Sequence, residues 1–83
     1  MRLVLTRQAT QGLSRMPARD RTALGQKIQQ FASDPYGSHA FAKAFSASEG
    51  RLRHGQWRAV YRIDKGVLTV TIVRVAHRSE VYR

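Results

Sequence analysis

A chain of 83 residues without cysteine has room for one domain, residues 1–83, and for neither a disulfide framework nor a thiolate metal site. So short a chain buries only ~60% of its unfolded surface, which calls for one small sheet and a pair of helices. Fifteen Lys and Arg against five Asp and Glu give a net charge of +10, a balance suited to an anionic macromolecule, nucleic acid first and an acidic protein second. All the cations but Lys27, Lys43 and Lys65 are arginine, whose planar fork matches phosphate oxygens two at a time. No apolar run approaches the ~18 residues of a membrane span, and the N-terminus has no secretory h-region. A soluble cytoplasmic chain with no membrane partner is expected.

Arg2 to Leu5 is a short candidate strand, with Leu3 and Leu5 on one side. Thr6 is a good N-cap, because its hydroxyl can accept an orphan amide of the first helical turn. A first helix then runs to about Arg15 and buries Ala9, Leu13 and Met16, spaced i, i+4 and i+7. Gly12 costs that helix about 1 kcal/mol relative to alanine, and Pro17 ends it. A second helix from about Ala18 to Ser33 repeats the stripe with Leu24, Ile28 and Phe31, and the short break between the two makes an antiparallel helical hairpin. Ser33-Asp34-Pro35-Tyr36-Gly37 is dense in turn residues and closes the helical half.

Phe41 to Phe45 has the period of a short strand, with Phe41, Lys43 and Phe45 on one side; it equally suits a loop pinned by two aromatics. Ser46 to Gly50 is a polar connection. The next strand begins at Arg51 to Arg53, and His54-Gly55 makes a hairpin turn in which Gly55 supplies a positive φ. From Gln56 to Asp64 the alternation is strict: Trp57, Ala59, Tyr61 and Ile63 share one face, Arg58, Val60 and Arg62 the other. Asp64-Lys65-Gly66 is a second turn. Val67 to Ala76 is a β-branched central strand, and His77 to Arg83 a short basic tail with one tyrosine. The order β-α-α-β-β-β-β predicts an α+β domain: an N-terminal strand and a helical hairpin packed on a mostly antiparallel sheet of four or five strands. The sheet face that carries Arg58 then becomes a platform for something anionic.

The run Arg51-Leu52-Arg53-His54-Gly55-Gln56-Trp57-Arg58-Ala59-Val60-Tyr61-Arg62-Ile63 and the ending His77-Arg78-Ser79-Glu80-Val81-Tyr82 resemble the RelE/ParE superfamily of type II toxin–antitoxin toxins, and element order and length agree over nearly the whole chain. The resemblance implies a RelE-like fold, a cognate antitoxin, operator DNA reached only through that antitoxin, and no cofactor. RelE-like members are ribosome-dependent mRNA endonucleases, whereas ParE-like members poison DNA gyrase without catalysis. The nuclease pattern places an arginine after the aromatic of the fourth strand, here Arg58, another after the last strand, here Arg78, and a tyrosine a few residues on, here Tyr82. That ending favours a metal-independent endoribonuclease that inhibits translation by cutting mRNA at the ribosome. A gyrase inhibitor, or a degenerate toxin that serves only as antitoxin partner and co-repressor, is the alternative. One departure stands out. The two third-strand lysines of the RelE pattern fall on Arg51, which keeps the charge but cannot deprotonate, and on Glu49, which reverses it. With the sequence ending at Arg83, the C-terminal helix of some relatives is expected to be missing.

Metal-free RNA cleavage needs a base for the 2′-OH, donors for the charge on phosphorus and a proton for the leaving 5′-oxygen. Fixed arginines suit the second task, so Arg58 is the first candidate, with Arg78 and Arg51 beside it. Tyr82 would stack on a splayed base or exchange a proton. His54 and His77 are the nearby groups that titrate near neutrality; with Arg53 and Lys43 they are the candidate RNA contacts. Scattered histidines without cysteine or paired carboxylates point to no metal. Trp57 and Tyr61 are expected to pack.

Overall fold

Thr6 does what its chemistry promises. In the computed structural model, which describes residues 1–81, its side-chain oxygen accepts the amide of Ala9 at 3.0 Å. The helix α1 (Arg7–Ser14) starts there, directly after strand β1 (Arg2–Leu5). Pro17 separates it from α2 (Ala18–Ser33), and four further strands follow: β2 (Ala42–Ala44), β3 (Glu49–His54), β4 (Trp57–Asp64) and β5 (Thr69–His77). They form one sheet in the order β1-β5-β4-β3-β2. β1 runs parallel to β5 and every other pair is antiparallel. The expected α+β architecture is therefore present, with β4 at the centre.

Both helices lie on one face of the sheet, α1 against β5 and α2 against β3, so each packs on strands more than on the other helix. Ala9, Met16, Leu24, Ile28 and Phe31 meet Leu52, Ala59, Tyr61, Ile63, Val70, Ile72 and Val75 in one buried cluster. The Phe31 and Tyr61 rings sit 4.4 Å apart at its centre. Leu13, expected in the core, is half-buried at its margin. Gly12 takes the buried place instead, because α1 comes so close to β5 that a Cβ there would strike the Val75 carbonyl. A glycine that weakens the isolated helix is what lets the helix dock.

One expectation needs correction, and two features come only with the structure. Val67 and Leu68 belong to the turn, not to β5, and both are exposed. The Asp64 carboxylate accepts the amides of Gly66 and Val67 at 2.9 and 3.4 Å, which curls the chain before the ladder can begin; Leu68 adopts a positive φ of 48° to complete the curl. The tail has regular structure at its start. It opens as a short helix, α3 (Arg78–Val81), whose Ser79 amide donates to His77 Nδ1 at 3.3 Å. Finally, β5 carries a bulge. Val60 pairs with Arg74 while Tyr61 pairs with Ile72, so Val73 is an extra residue. Thr6 secures it by donating its hydroxyl to the Val73 carbonyl at 2.6 Å.

Candidate functional site

The sheet face turned away from the helices is built by alternation. In β3, Gly50 and Leu52 point to the core and are buried, so Arg51 and Arg53 point outward. The register brings Arg53 opposite Arg58, Arg51 opposite Val60, and Glu49 opposite Arg62. On the flanks, Lys43 of β2 stands opposite Arg51, and Arg74 and Ala76 of β5 stand opposite Val60 and Arg58. Six cations and one carboxylate thus share this face. Like charges directly opposite each other destabilise a sheet, and here they occur at both Arg53–Arg58 and Lys43–Arg51. An arrangement of this kind makes the face attractive to an anion.

Arg58 is the centre of the face. It lies on the central strand and is only 6% exposed. Its Nη1 donates to the carbonyls of Gly55 and Trp57 at 2.8 and 3.0 Å, which folds the fork back onto the β3–β4 turn. Gly55, with φ of 57°, makes that turn possible. Burial first, then the nearby Arg51, Arg53 and Arg78, push the Arg58 guanidinium below the ordinary arginine range. Backbone carbonyls thus fix in place a charge that its surroundings oppose.

Residues 3–82 match the sequence model of a family described as the ParE toxin of the type II toxin–antitoxin system parDE. The chain belongs to this family, within the RelE/ParE superfamily of toxins. Over 31 residues the toxin is 52% identical to Toxin RelG of Mycobacterium tuberculosis, a stretch that makes up 37% of this chain and 36% of that relative's length. The likeness to solved structures spans much more. A chain of the toxin–antitoxin complex RelBE2 from Mycobacterium tuberculosis superimposes with a TM-score of 0.75 at 28% identity, covering 93% of this toxin and 96% of that chain. The isolated E. coli RelE toxin gives a TM-score of 0.76 at 21% identity over 98% and 89% of the two chains, a likeness of fold.

Within the toxin the residues picked from the sequence divide into two groups. Arg51, Arg53, Arg58 and Lys43 converge on the outer face, and Arg78, exposed at the start of α3, is close enough to act on Arg58 electrostatically. The histidines do not join them. His54 turns to the helix side, where its Nε2 meets Asp20 Oδ1 at 3.1 Å and its Nδ1 meets Lys27 Nζ at 3.2 Å. His77 sits at the sheet end, its ring 5.7 Å from Trp57 in an edge-on pair, with Nδ1 engaged by Ser79. Tyr82 lies outside the described residues. Sequence reading missed Arg74 altogether. Counted by strict alternation it shares the face of Val70 and Ile72, and the Val73 bulge moves it to the basic side. A charged residue at a core position was the one available signal of that bulge. Among the described residues, no group of His, Asp or Glu has a metal-binding arrangement and no helix is long and apolar enough to cross a membrane.

Proposed function

We propose that this toxin is a ribosome-dependent mRNA endonuclease acting in the cytoplasm, with the outer sheet face as its RNA site. The observation that carries the reading is Arg58: a nearly buried guanidinium at the centre of a face shared with Arg51, Arg53 and Lys43 and flanked by Arg78. In the reaction the 2′-oxygen attacks phosphorus, its proton leaves to a base, and the 5′-oxygen departs with a proton. Arg58, with Arg51 and Arg78, stabilises the charge that builds on the phosphoryl oxygens. None of these guanidiniums gives up a proton in a protein. Proton transfer therefore falls to a group other than these arginines; Tyr82, a few residues beyond Arg78, is the candidate, with its ring also able to stack on a base.

A cognate antitoxin is the protein partner in this reading, supported by the RelBE2 relative, which was solved in a toxin–antitoxin complex. It would neutralise the toxin by covering Arg58 and Arg78. The test is induced expression followed by 5′-end mapping of cellular mRNA. Wild-type toxin should leave cleaved messages, and Arg58→Ala should lower the rate by ~10²–10³ with unchanged circular dichroism. Tyr82→Phe in the same assay separates the two tyrosine roles, since stacking needs only the ring. A second reading has a specific observation behind it, the match to the ParE family: inhibition of DNA gyrase. Growth arrest that survives Arg58→Ala, with intact mRNA and accumulating DNA breaks, would establish that reading instead.

A further inference from the structure

The edge strand carries a feature that the proposed reaction does not use. Phe41, Lys43 and Phe45 recur at every second position along β2 and its two flanks. Ala42 and Ala44 line a hollow with Phe31, Tyr61 and Ile63 on the helix side, so the odd-numbered residues turn to the outer face. The ladder agrees. Lys43 stands opposite Arg51, the Arg53 amide donates to the Phe41 carbonyl, and the Phe45 amide donates to the Glu49 carbonyl, both at 2.8 Å.

Packing accounts for only part of this pair: Phe41 packs at the margin of the core, with Lys27 Nζ 5.8 Å from its ring centre. Phe45 is 57% exposed. Phe41 is half-buried and braced by the His39 ring 5.2 Å away. It borders a depression of about 280 Å³ shared with Lys43, Arg51 and Arg53, and another of about 420 Å³ shared with Lys27 and Arg53. Aromatic rings held among cations are the usual means of gripping a single strand, because each base has a π-face and each link a phosphate.

We infer that the β2 edge is a stacking track for single-stranded RNA, with one base on Phe41, another on Phe45 and the intervening phosphates on Lys43 and Arg51. At the usual strand rise the two phenylalanines are about 13 Å apart, a distance a splayed strand can bridge, whereas paired bases in a duplex keep their faces covered. The inference rests on reading the outer face as the RNA-contacting one, and it extends that site one strand beyond Arg58. It makes Phe41 and Phe45 binding residues with no part in the bond-breaking step.

Titration of the whole chain with a short single-stranded RNA carrying 2-aminopurine at successive positions, in the absence of ribosomes, tests the track. Binding should quench the probe. Phe41→Leu and Phe45→Ser should each weaken binding about tenfold without changing the slope of log affinity against log salt. Lys43→Met should lower that slope by about one phosphate contact, and RNA duplex of equal length should bind the wild type and both phenylalanine variants alike. Phe45 lies in solvent, so its serine variant should retain the wild-type circular dichroism spectrum and melting temperature. Unquenched probe, or equal binding of the single strand by Phe45→Ser and wild type, would overturn the track. So would a Phe45→Ser variant that loses affinity only for a protein partner, since the edge would then serve to take up a protein strand. Phenylalanine-dependent quenching together with intact cellular mRNA would uphold the track while removing the cleavage reading.

Discussion

Arg58 sets stability against the proposed function within one side chain. Burial and three neighbouring arginines oppose its charge, an arginine keeps that charge at any physiological pH, and an anion bound at the face would offset part of the opposition. Millimolar sulfate should therefore raise the melting temperature of the wild type more than that of Arg58→Ala, a comparison that cancels sulfate's general stabilising effect. Arg58→Lys should fail in the cleavage assay with the alanine variant, because a point charge cannot reproduce the fork held by Gly55 and Trp57. Tyr61 shows the opposite case, a polar group buried for structure. Burial pushes its phenol above the ordinary tyrosine range. Folding thus favours the neutral form, and its stability contribution is whole below the unfolded-state pKa of ~10 and lost as pH rises beyond it. In an alkaline melting series Tyr61→Phe should flatten the decline.

Two positions decide how the elements join. The Thr6 hydroxyl accepts from Ala9 to start α1 and donates to Val73 to hold the β5 bulge. Loss of a helix cap costs ~0.5–2 kcal/mol, and the orphaned bulge carbonyl adds to that. Thr6→Ala should lower stability by about 2 kcal/mol in a urea titration. Because the bulge is what turns Arg74 outward, the same variant should loosen the basic face as well. Gly12 inverts the propensity argument. Gly12→Ala would stabilise an isolated helix by about 1 kcal/mol, but here the new methyl meets the Val75 backbone. The expected outcome is a lower melting temperature than the wild type. A rise would mean that α1 does not dock on β5 as closely as described.

At the scale of the molecule, one amphipathic sheet separates the two tasks. Its inner face supplies the core under α1 and α2, and its outer face gathers Lys43, Arg51, Arg53, Arg58, Arg62 and Arg74. With a net charge of +10, the field of the whole chain adds to that of the face. Capture of an acidic antitoxin segment, or of RNA, should be steered from a distance. Stopped-flow association should slow by about tenfold or more as ionic strength rises through the physiological range, with dissociation much less affected.

The period-two run Trp57 to Asp64, the cap at Thr6, the break at Pro17 and the stripe Leu24-Ile28-Phe31 were legible before any coordinates, because each is a local signal whose cause lies within a few residues. From them come the α+β class, the helix bounds and the outward turn of Arg58. Pairing decided the rest. Asp64 draws Val67 and Leu68 out of β5 by local turn bonds that the apolar run conceals, and the bulge at Val73 turns Arg74 to the basic face with only its charge at a core position to announce it. The histidines illustrate the same limit. By residue type alone His54 and His77 suit an RNA site, yet the parity of their strands points His54 toward Asp20 and Lys27 and His77 against Trp57. Residue type determines what a side chain can do; register and bulges, set by contacts far apart in the chain, determine what it can reach.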